Sequence, residues 1–180
     1  MLNRKCLWYV LLLGLVFSAV GCATSKGSYS LIEPPKEGVQ FTKYTNLSVA
    51  LSCNDEVPLT ESDKARILKL IEINMKKEGP TRFKSVNSAT AQDNVLLATV
   101  NIKAYEKGNA FARAMLAGLG QMHIDAEIGL SDTQTNERLA AYEVNKRFAW
   151  GGLYGGVTRI EDIEDGFAQA VVDAILDKKD

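Results

Sequence analysis

Three side chains of types that commonly bind metals alternate along one stretch of the chain: His123, Asp125 and Glu127. Residues two apart on a strand point to the same face of a sheet, so the three could contribute ligands to a divalent cation. Such neighbours are about 7 Å apart along a strand, so a shared ion would also need a ligand from the adjacent strand, such as Glu143. We expect no bound metal, because the pattern is more typical of a solvated sheet face on which Arg147 or Lys146 pairs with the carboxylates.

His123 is the single histidine of the chain, and this limits the catalytic mechanisms that the sequence supports. A Ser-His-Asp arrangement would have to use it, yet no Gly-x-Ser-x-Gly turn occurs to present a nucleophile. Paired-carboxylate chemistry could draw on 22 acidic residues, but their spacing singles out no pair. We therefore expect a protein that is not an enzyme and uses no cofactor, with a hydrolase as the alternative.

A glycine-rich run at residues 151–156, GGLYGG, stands between a predicted strand and a predicted helix. The position would suit a phosphate-binding loop, but the run lacks the Lys-Ser/Thr of a P-loop and does not fit Gly-x-Gly-x-x-Gly. We interpret it as a flexible connector. Its aromatic residues Trp150 and Tyr154 could form one edge of a partner-binding surface.

Small residues are concentrated in residues 108–120, where Ala110, Ala114 and Gly118 lie four apart. A helix with this spacing would present a face that allows close backbone approach. Three interpretations stay open, namely a tight crossover within the domain, an oligomerisation surface, or a membrane contact. We expect Arg113 to cap backbone groups or pair a carboxylate internally. The candidate interaction residues are Ala110, Arg113, Ala114, Gly118, Trp150 and Tyr154.

The amino-terminal segment has the order of an export signal. The basic pair Arg4 and Lys5 precedes an apolar run over residues 6–20, which is shorter than the roughly 20 residues that a membrane-spanning helix needs. The run ends in Ala-Val-Gly followed by Cys22, which resembles a bacterial lipobox. The resemblance implies cleavage before Cys22 and acylation of that residue, and several acyl chains anchor a protein stably. Ala23 in the next position resembles the sorting pattern of outer-membrane lipoproteins.

Charge and cysteine content argue against nucleic-acid binding and against an internal disulfide bond. Residues 1–21 contain two of the 21 basic residues and none of the 22 acidic ones, so the mature chain has a net charge of −3. We expect no nucleic-acid partner, since such proteins usually carry a clustered basic surface. Of the three cysteines, Cys53 remains once Cys6 is removed and Cys22 is acylated. We expect Cys53 to be a small buried residue without a disulfide.

The elements that would position these residues divide the chain into a signal peptide (1–21), a flexible tether (22–40) and one domain (41–180). Alternation predicts strands at residues 47–53, 95–105, 121–130 and 139–150, with Asn136 at positive φ in a hairpin loop over residues 131–137. In the second of these strands, the apolar face comprises Leu96, Ala98, Val100, Ile102 and Ala104.

Helices are predicted by apolar residues at helical spacing and by their capping residues. The first begins at Thr60, with Asp63 three residues later, and ends at Gly79-Pro80; a short strand follows at residues 82–86. The last begins at Thr158 with Glu161. The order of elements predicts an α+β domain in which two principal helices pack on one face of a mainly antiparallel sheet.

Several short motifs follow one another between residues 105 and 176: Gly108-Asn109, Arg113, the glycines of residues 117–120, Leu130-Ser131-Asp132, Thr135-Asn136-Glu137 and the glycine-rich connector. With the closing amphipathic helix, they resemble the bacterial lipoprotein family catalogued as domain of unknown function 4410. Asn136 stands where that family more often has Gly, and Asn is the next best residue for the turn. The resemblance implies an envelope lipoprotein with no assigned reaction.

These features together predict a lipoprotein anchored in the outer membrane with its domain in the periplasm. We expect a non-enzymatic interaction or accessory module that contacts an envelope protein or another copy of itself. The alternatives are a self-assembling envelope subunit and an envelope hydrolase.

Overall fold

The computed structural model of the protein describes residues 26–87, 93–116 and 119–178. The predicted signal peptide, the predicted acylation site Cys22 and Gly118 lie outside these residues. The described part contains six strands and four α-helices, in the order β1 (Ser28–Glu33), β2 (Asn46–Cys53), α1 (Glu61–Glu78), β3 (Ser85–Val86), β4 (Val95–Glu106), α2 (Ala110–Met115), β5 (Met122–Asp132), β6 (Arg138–Phe148), α3 (Gly152–Val157) and α4 (Glu161–Leu176).

The six strands form one sheet in the order β1-β6-β5-β4-β2-β3. Neighbours from β1 to β4 are antiparallel, whereas β2 is parallel to both β4 and β3. The parallel pairs arise because α1 carries the chain back across the sheet after β2. Apolar residues of α1 and α4 form one core with the sheet. The predicted α+β fold is confirmed, as are the two principal helices.

The central hairpins follow the predicted alternation with one irregularity. Leu96 to Ile102 present every second side chain to the core, but the register of β4 against β5 shifts between Ile102 and Ala104. Tyr105 therefore takes the buried position, and the prediction for Ala104 was wrong. In the hairpin that joins β5 to β6, Asn136 has φ of 55°, as predicted.

Part of the segment predicted as a flexible tether is a strand. β1 pairs with the edge of β6, and the ring of Tyr29 lies 6.1 Å from that of Tyr142. Just before it, the Gly27 N–H donates to the Gly166 carbonyl of α4 at 2.8 Å. A Cβ on Gly27 would lie 2.7 Å from the Asn145 carbonyl oxygen. Main-chain pairing with an open strand edge stabilises this segment, so it lacks the apolar alternation that identifies other strands.

The two long helices begin differently. Thr60 and Asp63 form the predicted reciprocal capping box at the start of α1. The capping box predicted at Thr158 and Glu161 is wrong, because the Thr158 hydroxyl donates to the Tyr154 carbonyl at 2.7 Å and thereby closes α3. The start of α4 is instead stabilised by Asp162, whose carboxylate accepts the Arg159 N–H at 2.7 Å.

Two smaller predictions also need correction. The glycine-rich connector is the short helix α3 rather than a flexible loop. Cys53 is half-buried against the core rather than fully buried. Within the described ranges, no helix combines the length and apolar composition needed to cross a bilayer.

Candidate functional site: an apolar interaction surface

The short helices α2 and α3 lie at the same end of the sheet. Helix α2 connects β4 to β5, and α3 follows the end of β6. Glu106 of β4 is paired with His123, and Met122 of β5 is paired with Phe148, so these strand ends meet. The segments that the sequence singled out, residues 108–120 and 150–156, are therefore brought together.

Small residues allow the two helices to touch. A Cβ on Gly156 would lie 2.9 Å from the Cβ of Ala114, and one on Gly155 would lie 2.0 Å from the Trp150 carbonyl oxygen. Real Cβ atoms do not approach so closely, so glycine is required at both positions. The small-residue face of Ala110 and Ala114 thus contacts α3 inside the domain, which corresponds to the crossover interpretation.

Arg113 holds the two connectors in place from within. Its side chain is 2% exposed, and Nε donates to the Gly155 carbonyl at 2.8 Å. Nη1 donates to the Gly120 carbonyl at 2.8 Å and Nη2 to the Thr158 carbonyl at 3.0 Å. Burial lowers the pKa of this guanidinium below its ordinary value. The prediction that Arg113 caps backbone groups internally is confirmed, because its planar donor set satisfies main-chain carbonyls of both connectors. Arg113 was also named among the candidate interaction residues, but its side chain is buried and so lies beneath that surface.

Large apolar side chains protrude from the same two helices and from the residues that follow α2. Leu153 is 86% exposed and Phe111 is 74% exposed, and four others are more than half exposed. We call the set the α2–α3 apolar surface; its members are Phe111, Met115, Leu116, Leu119, Leu153 and Val157. Soluble domains rarely cluster exposed apolar side chains unless these contact something else. The sequence-based prediction selected the small residues of these segments, whereas the large apolar side chains are the most exposed.

The aromatic residues predicted at this edge connect the surface to the sheet. Trp150 and Tyr154 form an edge-on pair with ring centroids 6.4 Å apart, and Tyr154 also packs on Phe148 at 6.0 Å. Trp150 is half-buried, and Tyr154 remains partly exposed beside Leu153 in the chain. The two aromatics therefore border the α2–α3 apolar surface.

A cleft of about 510 Å³ opens between the helices. Its lining includes Val157 of the apolar surface together with the exposed residues Lys107, Arg159 and Glu161. Two cationic side chains and one carboxylate thus lie next to the protruding apolar groups. This arrangement combines an apolar surface with a border of mixed charge.

The alternating residues of β5 are engaged in ion pairs on the sheet face that the helices leave open. Glu127 accepts a hydrogen bond from Arg138 at 2.8 Å, which lowers the pKa of Glu127, and lies 3.6 Å from Lys103. Asp125 lies 3.8 Å from His123. In the described ranges, no three His, Cys, Asp or Glu side chains converge as metal ligands. The three metal candidates therefore do not form a common site.

Of the two alternative pairing partners proposed for these carboxylates, Arg147 is confirmed. Arg147 lies opposite His123, and its guanidinium is 3.9 Å from the Asp125 carboxylate. Lys146 is 2% exposed and follows the helix-covered face of β6, so it cannot pair across the open face. Glu143 is exposed and stands opposite Glu127 in the register.

A buried ionic network that the sequence-based analysis missed ties both long helices to the sheet. Glu164 of α4 is fully buried and accepts bonds from Arg66 Nε at 2.6 Å and from the Tyr105 hydroxyl at 2.7 Å. Arg66 also donates to Asp63 at 2.6 Å. Burial and the hydrogen bond to Glu164 raise the pKa of Tyr105 well above its usual range. Helical spacing could have paired Asp63 with Arg66, but Glu164 lies far along the chain.

A second network explains the Ser131-Asp132 motif. One carboxylate oxygen of Asp132 accepts the Tyr44 hydroxyl at 2.7 Å, and the other accepts the Gln134 N–H at 2.8 Å. These bonds hold the pKa of Asp132 well below its usual value. Asp132 therefore fixes the hairpin turn and contacts the segment that precedes β2.

Comparison with known proteins relates the chain to a family and to several folds. The family described as Domain of unknown function (DUF4410) matches residues 60–152, and no curated protein matches the chain. The fold is similar to that in the PelC dodecamer from Paraburkholderia phytofirmans, at 8% identity over 80% of this chain and 96% of that one, with a TM-score of 0.50. Protein XCC0632 from Xanthomonas campestris, of family DUF330, is 9% identical over 83% of this chain and 91% of its own, also with a TM-score of 0.50.

At such identities the likeness to solved structures concerns the fold alone. The family match is broader evidence, because it runs from the cap of α1 to the start of α3 and so includes β4, α2, β5 and β6. The motifs that resemble this family lie between residues 105 and 176, and the family match extends further toward the amino terminus, to residue 60. Because the match covers more than half of the sequence, this chain belongs to the DUF4410 family.

Proposed function

We propose that this protein is a bacterial envelope lipoprotein, anchored in the outer membrane through acylated Cys22, whose domain is a non-enzymatic interaction module. The α2–α3 apolar surface is its contact surface, and it meets another component of the envelope. The domain faces the periplasm.

The observation that carries the proposal is the exposure of large apolar side chains on two helices that are rigidly held. Arg113, Gly155 and Gly156 fix α2 and α3 against each other, yet Phe111 and Leu153 point into solvent. Holding apolar groups in water is unfavourable by roughly 25 cal/mol for each Å². Covering this surface in the assembled protein would remove that unfavourable free energy, and the buried Arg113 holds the surface in a fixed position for such a contact.

The ionisable groups favour interaction over catalysis, because those with shifted pKa values have structural partners. Tyr105 is bonded to Glu164, which joins the two long helices, and Asp132 is bonded within a turn. Glu127 lies in a solvated ion pair. None of these contacts needs a substrate to explain it.

The anchor is tested by intact-mass analysis of the mature protein and by membrane fractionation. We expect a mass that includes acyl groups on Cys22, and we expect Cys22→Ser to move the protein from the membrane to the soluble fraction. Cys53→Ser is the matched control, because Cys53 lies in the domain and should leave the distribution unchanged. A bare Cys22 thiol in the mature protein would contradict the proposal.

A self-assembling subunit is the second candidate, and the similarity to the PelC dodecamer favours it. In this version, the α2–α3 apolar surface meets another copy of the chain. Light scattering of the acylated protein in detergent would then give a multimer that Leu153→Asp dissociates. A monomer in both forms would eliminate this candidate.

A further inference from the structure

The chain enters the domain at the end of the sheet that carries α2 and α3. β1 begins at Ser28, which is paired with Asn145, three residues before β6 ends at Phe148. At about 3.4 Å per strand residue, this start lies roughly 10 Å from the end of β6. Just before β1, the Gly27 N–H donates to the Gly166 carbonyl, which lies in the amino-terminal half of α4. That half of α4 directly follows α3 in the chain.

The covalent distance from the proposed anchor is short. Four peptide links separate Cys22 from Lys26, the first described residue. A fully extended chain spans at most about 3.6 Å per residue, so Lys26 lies within roughly 15 Å of the Cys22 backbone. If the acyl chains of Cys22 are in a bilayer, the end of the domain near Lys26 is held close to the lipid headgroups.

The chemistry of this end suits a lipid interface. Surfaces that lie in the interfacial plane combine Phe, Leu or Trp with basic residues beside them. Here Phe111 and Leu153 protrude, Trp150 and Tyr154 border them, and Lys107 lies in the adjoining cleft with Arg159 and Glu161. Amphipathic aromatic rings are favoured at headgroup depth, and lysine and arginine there attract anionic lipids.

The dimensions of the surface favour a bilayer over a protein partner. Stable protein interfaces use about 20–30 residues on each side. Helices α2 and α3 have six residues each, and of the six apolar residues of the surface Val157 alone lines the cleft, while the others stand out from the domain. A small protruding apolar group can insert between lipids without a matching partner surface.

We infer that the α2–α3 apolar surface inserts into the headgroup region of the bilayer that holds the acylated Cys22. This inference rests on the proposed anchoring and names the component that the surface contacts. The acyl chains confine the domain to the membrane, and the inserted surface fixes its orientation. The hairpin turn at Asp132–Glu137 lies at the opposite end of β5 and β6, so this orientation directs it away from the bilayer.

The native tryptophan makes the insertion measurable. Trp150 is the sole tryptophan of the mature chain, because Trp8 lies in the signal segment. The acylated mature protein is reconstituted into vesicles of phosphatidylethanolamine and phosphatidylglycerol, with or without bromine on the acyl chains. We expect brominated lipids to quench Trp150 emission, more strongly when the bromine is placed near the headgroup than near the bilayer centre.

Leu153→Asp is the test variant, because Leu153 protrudes and its replacement should leave the fold intact. Ile73→Asp is the matched control, since Ile73 is 51% exposed on α1, outside the surface. We expect Leu153→Asp to lower the equilibrium constant for insertion of the surface into the headgroup region about tenfold, as judged from Trp150 quenching. This corresponds to losing the burial of one leucine side chain. Quenching in Ile73→Asp should match that of the parent protein. Equal melting temperatures verify that both variants are folded.

Each outcome decides between the two proposals. Acylated protein whose Trp150 is not quenched, or is quenched equally in Leu153→Asp, overturns the insertion but leaves the anchor intact. A mature protein without acyl groups on Cys22 overturns the anchor, and the insertion falls with it. Absence of quenching, together with multimers in light scattering that Leu153→Asp dissociates, assigns the surface to a second copy and also overturns the insertion.

Discussion

At the scale of single residues, the buried carboxylate Glu164 has the most consequential contacts. It accepts bonds from Arg66 of α1 and from Tyr105 of β4, so three elements converge on one charge. A buried charge is tolerated only while its partners remain, since removing one partner leaves the others unsatisfied. Glu164 therefore sets how α1 and α4 sit on the sheet.

We expect Glu164→Gln to lower the free energy of unfolding by about 1–3 kcal/mol, because the fully buried charge that Arg66 and Tyr105 share is lost, although Arg66 keeps Asp63 and is partly exposed. Urea unfolding of the purified domain measures the change. Glu143→Gln is the control, since Glu143 is exposed on the open sheet face and should change stability by less than about 0.5 kcal/mol. Similar effects of both substitutions would contradict the structural role of Glu164.

The hydrogen bonds of Asp132 predict that the stability of the fold decreases in acid. Its folded pKa lies below the ordinary value of 3.8, mainly because the Tyr44 hydroxyl donates to it. The stabilisation is therefore fully present above about pH 4 and is lost as the pH falls from there toward the folded pKa. We expect Asp132→Asn to lower stability at neutral pH and to flatten the decline in acid. Urea unfolding over a pH series would show this, and parallel curves for the two proteins would refute it.

At the scale of elements, the docking of α3 depends on missing side chains. A Cβ on Gly155 would lie 2.0 Å from the Trp150 carbonyl oxygen, so the helix must move to accept one. We expect Gly155→Ala to cost about 1–3 kcal/mol and to change the emission of Trp150. Gly129→Ala is the control, because its nearest neighbour would be 3.8 Å away. Unchanged stability and emission in Gly155→Ala would show that α3 is not held as described.

The elements that sequence reasoning could predict are those stabilised by their own side chains. Alternating apolar residues identified β4, β5 and β6, and a capping box identified the start of α1 at Thr60. β1 and α3 escaped prediction because other parts of the chain hold them. β1 depends on main-chain pairing with β6, and α3 is a glycine-rich segment held by Arg113 and closed by Thr158.

The sequence pointed to the two segments that form the candidate site, but it did not indicate which of their side chains are exposed. Residues 108–120 and the pair Trp150 and Tyr154 were both singled out, yet neither segment reveals that it meets the other. Spacing on a short helix cannot tell which apolar residues turn inward, because Ala114 and Phe111 are both compatible with burial. The bonds from Arg113 and the contact at Gly156 decide this, and they depend on the three-dimensional path of both connectors.

At the scale of the whole molecule, the proposed anchoring implies that the short link between Cys22 and the domain keeps the α2–α3 apolar surface at the membrane. Inserting a Gly/Ser linker of about ten residues between Thr24 and Ser25 should leave acylation unchanged but lower the effective concentration of the surface at the bilayer. We expect weaker quenching of Trp150 by brominated lipids than in the parent protein. Quenching that does not depend on linker length would contradict the role of the short link.

The central claim is that the α2–α3 apolar surface is the contact surface of the anchored protein, and photocross-linking in native envelopes tests it most directly. A photoreactive side chain is placed at position 153 of the full chain or, as a control, at position 73, where the parent residue is also exposed and apolar. We predict adducts with phospholipid from position 153 and none above background from position 73. Equal adducts from both positions, or no adduct from position 153 in protein that is acylated at Cys22, would contradict the account.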